Sequence, residues 1–189
     1  MTQTQASSRY SRIAIWLHWM IAILIIGQLA GGKIMHLMDP SSLKFELYQY
    51  HKSFGIMILL LSCLRLFWRL GHKPPALPTT MKPWEQRVAN LSHKAFYVLV
   101  IGIPLSGWAM VSASTFGLKT KLFKLIPWPH IPGVPQSESL ETQLKQAHEV
   151  LAIFVFALLL LHIGAALKHH FKDRDDVLTR MVPRLKIRK

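Results

Sequence analysis

Residues 13–32 read IAIWLHWMIAILIIGQLAGG, twenty positions without a formal charge. About 20 apolar residues is what a helix needs to cross roughly 30 Å of hydrocarbon. A second run, FGIMILLLSCL at 54–64, is short, but counting back from Arg69 as an edge extends it to 50–69. A third covers 91–112 and contains Pro104, which membrane helices accommodate with a kink. The fourth, AHEVLAIFVFALLLLHIGAAL, covers 147–167. The first run is too long for a signal peptide and lacks a small-residue cleavage pattern, so it is expected to be retained. Proline-rich stretches at 73–83 and 126–135 fall between runs, as connections should. The pattern predicts an all-α fold: an integral membrane four-helix bundle forming one transmembrane domain over 1–189. The longest connection, 113–146, carries Pro127, Trp128, Pro129 and Pro132 and is expected to cap one bundle end at the interface.

Composition sharpens this picture. Of 189 residues, 51% are hydrophobic and 17% charged, where a soluble domain carries about a quarter charged. The formal net charge is nevertheless +14. A nucleic-acid binder would spread its basic residues over a compact domain rather than exclude them from membrane-length runs, so nucleic acid is excluded as a partner. Sixteen of the 23 basic residues, including every arginine, fall before the first run, around the second connection, or after Leu167. Lys33, Lys44, Lys52, Lys119, Lys121, Lys124 and Lys145 fall on the other side. The positive-inside rule then predicts that both termini are cytoplasmic.

A single cysteine, Cys63, excludes an internal disulfide, a multi-thiolate zinc site, a four-cysteine iron–sulfur cluster and covalent Cys-x-x-Cys-His haem. Ten histidines are the unusual feature. His148 and His162 are 14 residues apart, about 3.9 turns, so they share a helix face while lying about 21 Å apart along it. Two ligands on one face at opposite membrane edges imply two cofactors, each needing a partner from another helix at the same depth. His18 and His162 both lie five residues inside a cytoplasmic edge, so depth pairs them. His51 and His148 both lie one residue inside an outer edge, which pairs them too. His93 lies nearer the cytoplasmic surface and is ranked as a substitute ligand or as a partner for a haem propionate.

Imidazole suits neither calcium nor magnesium, and zinc wants three or four converging ligands. Haem iron held by two imidazoles needs one ligand on each ring face, which two helices of a bundle supply. Gly55 and Gly164 follow His51 and His162 closely and would let a flat macrocycle approach. The plainer reading, an interfacial anchor, fits His36, His72, His130, His169 and His170 better. The six tryptophans read mostly as an interface belt, and Gly27 with Gly31 as a weak helix-contact motif.

The order of these residues carries a resemblance. Tyr10, Ser11 and Arg12 precede Trp16, Leu17, His18 and Trp19; then come Tyr50, His51, Lys52, Ser53, Phe54 and Gly55, then Leu91, Ser92 and His93. Ala147, His148 and Glu149 follow, and Leu161, His162, Ile163 and Gly164 lead to Lys168, His169 and His170. Over nearly its whole length the chain resembles the bacterial cytochrome b561 family. The resemblance implies four helices holding two haem b groups in the bacterial inner membrane and electron exchange with quinone. A close relative in that family oxidises superoxide and reduces ubiquinone.

Lys119, Lys121 and Lys124 sit within six residues of the long outer connection. Such a cluster steers a small anion or touches lipid headgroups, and composition does not choose; the resemblance favours superoxide. The resulting expectation is a superoxide:quinone oxidoreductase. Superoxide would be oxidised on the periplasmic side near His51 and His148, and Glu149 is a weak candidate proton relay. The alternatives are a haem b anchor subunit serving a partner reductase or hydrogenase through its basic face, and a haem-free histidine-lined transporter. A homodimer is compatible with the pattern.

Overall fold

The computed structural model describes residues 9–78, 80–117, 119–182 and 185. Of the basic residues used for orientation, Arg184, Lys186, Arg188 and Lys189 lie outside the described residues. Four helices dominate: α1 (Arg12–Leu37), α2 (Ser42–Gly71), α3 (Pro83–Ala113) and α4 (Glu138–Lys168). All four are long and apolar enough to cross a membrane.

Each helix overruns the apolar run that announced it, because hydropathy measures hydrocarbon thickness while helix length is set by caps. Serines 11, 41 and 137 start α1, α2 and α4, their hydroxyls accepting from the backbone N–H three residues on, at 3.2, 3.2 and 3.4 Å. At α3, Pro83 occupies the first helical position, and the Glu85 carboxylate accepts from Lys82 N–H at 3.0 Å. His51 therefore lies nine residues inside α2 and His148 ten inside α4, so the depth match between them survives the change of boundary.

Packing runs α1 on α2, α2 on α3 and α3 on α4. Few apolar side chains are buried, and large ones such as Trp16, Phe67 and Leu161 are each 70% exposed. That is what a bundle solvated by lipid shows.

The long connection is structured, as its prolines and Trp128 suggested, and it contains a hairpin that the sequence did not show. Strands β1 (Thr120–Leu122) and β2 (Ile126–Trp128) pair antiparallel, their turn passing through Phe123 and Lys124 at positive φ. The hairpin is pinned to α2: Phe123 N–H donates to the buried Ser53 hydroxyl at 2.9 Å, and the Phe123 ring meets Phe54 edge-on at 5.3 Å. Trp108 Nε1 donates to the Pro129 carbonyl at 2.8 Å, and Ile131 N–H to Ser112 Oγ at 2.9 Å. This defines the hairpin end of the bundle.

At the opposite, tail end, α4 passes into a π-helical turn, His169–Asp173, and Arg174 at φ 53° turns the chain back. Trp19 Nε1 donates to the Met181 carbonyl at 2.8 Å, and Arg180 donates to the carbonyl of Ala76.

Candidate functional site

Five helical histidines meet in two groups. At the hairpin end, the rings of His51 on α2 and His148 on α4 have centroids 6.2 Å apart. At the tail end, His18 on α1 and His162 on α4 are also 6.2 Å apart, and His93 on α3 is 5.9 Å from His162. Phe96 meets the His162 ring edge-on at 5.2 Å. Depth counting thus found both pairs, while His93 comes as close to His162 as His18 does.

His148 has a fixed orientation. Its Nδ1 lies 3.1 Å from the Ile103 carbonyl, which can only accept, and 3.0 Å from Ser106 Oγ, whose own proton goes to that same carbonyl at 2.7 Å. The Nδ1 proton is therefore committed to α3, and the Nε2 lone pair is free to bind a metal. Across from it, Gln28 on α1 donates to the His51 backbone carbonyl at 2.7 Å, and the buried His51 Nδ1 has no hydrogen-bond partner among the described residues.

Imidazole nitrogen binds a first-row metal at about 2.0–2.1 Å and lies about 1.1 Å from its ring centroid, so two imidazoles on opposite sides of one ion hold their centroids about 6.2–6.4 Å apart. Both pairs stand at that separation. A converging zinc site does not fit: among the described residues, the one group of three ligand atoms within 4.8 Å of one another is His169, Asp173 and Asp175. The donor chemistry and spacing fit haem iron at two levels.

The model of the prokaryotic cytochrome b561 family matches residues 9–184. The chain belongs to that family. It is 30% identical to cytochrome b561 homolog 2 of Escherichia coli K12 over 184 residues, covering 96% of this chain and 95% of that protein. Cytochrome b561 homolog 1 of the same organism is 27% identical over 180 residues, covering 95% and 99%. A protein of Yersinia pestis named probable superoxide oxidase CybB is 30% identical over 178 residues, covering 93% and 97%. This family member is a multi-pass bacterial membrane protein of the haem b electron-transfer class.

The glycines that touch the histidines are not those the sequence singled out. Gly55 faces Gln28 and Gly164 has open space beside it, whereas a Cβ on Gly32 would lie 3.7 Å from His51 and one on Gly107 would lie 3.2 Å from His148. Neither glycine is near its histidine in sequence, so local spacing carried no signal. Glu149 is exposed beside His148.

The three loop lysines separate into two kinds. Lys119 and Lys121 are exposed. Lys124 is ion-paired with Glu46 at 2.8 Å and lies over the Tyr50 ring at 5.4 Å. The hydrogen bond to Glu46 raises its pKa, and its charge is matched by a carboxylate, so it clips the hairpin to α2.

His169, read from the sequence as an edge anchor, is buried instead, its Nδ1 2.6 Å from Asp175 and 3.1 Å from Asp173. It lines a cavity of about 400 Å³ with Met81, Trp84, Glu85 and Lys168 at the tail end. His169 itself continues α4, its N–H donating to the Ala165 carbonyl; the π-helical turn and the left-handed Arg174 that follow bring Asp173 and Asp175 back onto it, which periodicity could not anticipate.

Proposed function

We propose that this protein is a di-haem superoxide:quinone oxidoreductase of the bacterial inner membrane. One haem b would be held by His18 and His162 at the tail end, the other by His51 and His148 at the hairpin end. The observation that carries the reading is the matched 6.2 Å separation of two imidazole pairs stacked along the bundle. When bound, haem b supplies reversible one-electron redox chemistry at each level. The balanced reaction oxidises two superoxide anions to two dioxygen molecules and reduces one ubiquinone, with two protons, to ubiquinol.

The chain's own residues have distinct parts in it. Lys119 and Lys121, exposed on the hairpin side, attract an anion toward the His51–His148 level. The Ile103 carbonyl orients His148, and the hairpin anchored on Ser53 shields that level. At the other end, His169, bonded to Asp175, lines a cavity whose walls are mostly polar and charged apart from Met81 and Trp84, where it could exchange a proton with a quinone oxygen. The excess of basic residues around the tail end supports a cytoplasmic location for it by the positive-inside rule.

The test is optical. Purified protein in detergent is exposed to enzymatically generated superoxide, and a soluble ubiquinone analogue is then added. The expected result is reduction of the haem bands followed by reoxidation on adding quinone, with two superoxide consumed per quinol formed. Bands that quinol reduces but superoxide leaves unchanged would overturn the superoxide assignment and favour an anchor subunit relaying electrons to a partner.

A further inference from the structure

Arg65 lies fourteen residues after His51 on α2, the same interval that separates His148 from His162 on α4. Fourteen residues return a helix to the same face about 21 Å further along. Helix α2 thus offers a histidine to the hairpin-end level and an arginine to the tail-end level. The side chain is where that arithmetic puts it. Arg65 Nη1 donates to the Ala14 carbonyl of α1 at 2.7 Å, one turn before His18. Arg69, one turn further on, lies 5.7 Å from the Tyr97 ring, one turn after His93 on α3.

Both arginines are half-buried in a membrane helix, where an uncompensated charge is costly. Among the described residues, neither has a carboxylate within ion-pair distance. The acids of that end are engaged elsewhere: Glu85 and Asp173 with Lys168, Asp175 with His169, and Asp176 with Arg180. Two guanidiniums without a carboxylate partner among the described residues, one turn apart on α2 at the level of His18 and His162, offer a site for an anion from outside the chain. Guanidinium matches carboxylate geometry in a two-pronged fashion, and the single bond to Ala14 leaves most of Arg65's five donors available.

We propose that Arg65, assisted by Arg69, is the carboxylate-binding site that anchors the propionates of the tail-end haem and holds up its reduction potential. This rests on the reading that a haem occupies the His18–His162 level. Haem b carries two propionates, so one site with two guanidiniums matches it in number and charge. A nearby cation favours the form that has gained an electron.

The experiment is a redox titration of the purified holoprotein, following the two haems separately, with Arg65→Gln, Arg65→Lys and Arg69→Gln. Gln retains a donor for Ala14 but removes the charge. In Arg65→Gln the tail-end haem should titrate lower, with at least a tenfold change in its oxidised-to-reduced ratio, which is 59 mV for one electron. The hairpin-end haem should not move. Lys should restore most of the potential, and Arg69→Gln should give a smaller shift of the same sign. Redox-difference infrared spectra with ¹³C-labelled propionates should show carboxylate bands of the tail-end haem displaced in Arg65→Gln relative to the wild type, with those of the hairpin-end haem unmoved. Loss of the tail-end haem in the Gln variant but not in the Lys variant would equally support the site. Unmoved potential and bands would overturn it, as would loss of that haem in both variants, which would make Arg65 a clamp between α1 and α2. Wild-type protein with no haem at that level would instead remove the haem reading itself.

Discussion

A Cβ on Gly107 would lie 3.2 Å from Cε1 and 3.3 Å from Nδ1 of His148. The imidazole is also tied to the Ile103 carbonyl one turn earlier on the same helix, so α3 supports the ring from below and fixes its tilt from the side. Because the hydrogen bond prevents the ring from retreating freely, Gly107→Ala should displace His148. The expected outcome is partial or complete loss of the hairpin-end haem with the tail-end haem retained, measured as haem per chain. Gly102→Ala, with open space beside it, is the matched control and should retain both.

The histidine pairs were legible in the sequence because depth in a membrane is a one-dimensional coordinate that residue counting measures well. His18 with His162 and His51 with His148 needed no knowledge of helix rotation beyond the 14-residue interval. What counting could not give was proximity around the bundle, where His93 rivals His18 at His162 and where Gly107 on α3 meets His148 on α4. The β1–β2 hairpin was also hidden, since strands of three residues held by Ser53 and Trp108 leave no periodicity to read. His169 reads as an edge anchor because it follows the last apolar run, and the fold-back through Arg174 that buries it against Asp175 leaves no periodicity to read.

The choice between His18 and His93 is settled by substitution. His18→Ala and His162→Ala should each remove the tail-end haem, leaving one haem per chain with an unaltered hairpin-end spectrum. His93→Ala should retain two. A His93 variant that loses a haem while the His18 variant retains both would transfer the ligand role to α3.

Lys119 and Lys121 differ from Lys124 in having no carboxylate against them among the described residues, and the kinetics should reflect it. Replacing Lys119 and Lys121 together by Gln should slow superoxide-driven haem reduction several-fold at low salt and flatten its dependence on ionic strength, because steering is screened beyond about 8 Å at physiological salt. Lys124→Gln should change the salt slope little and should instead loosen the hairpin, measured as faster proteolysis between β1 and β2.

Ser53 holds that hairpin from within α2. Its hydroxyl accepts from Phe123 N–H and donates to the Gln49 carbonyl at 2.8 Å. Ser53→Ala leaves a part-buried N–H unpaired, at a cost of about 1–3 kcal/mol. The expected result is a lower melting temperature with both haems still bound below the transition.

Topology follows from charge. A periplasm-only reporter fused after Lys189 should be inactive, and the same reporter inserted between β1 and β2 should be active. The opposite pattern would invert the assignment of ends.

The 14-residue interval on α4 also has an electrical meaning. Its two histidines are separated along the axis by about 21 Å of the roughly 30 Å hydrocarbon layer. An electron exchanged between the two levels therefore moves through about two-thirds of the transmembrane field, and a full elementary charge crossing it is worth about 2.3 kcal/mol per 100 mV. With a haem at each level as proposed, the bundle would be a dielectric gap with a redox station near each face. In energised vesicles the balance between the two stations should then shift with voltage.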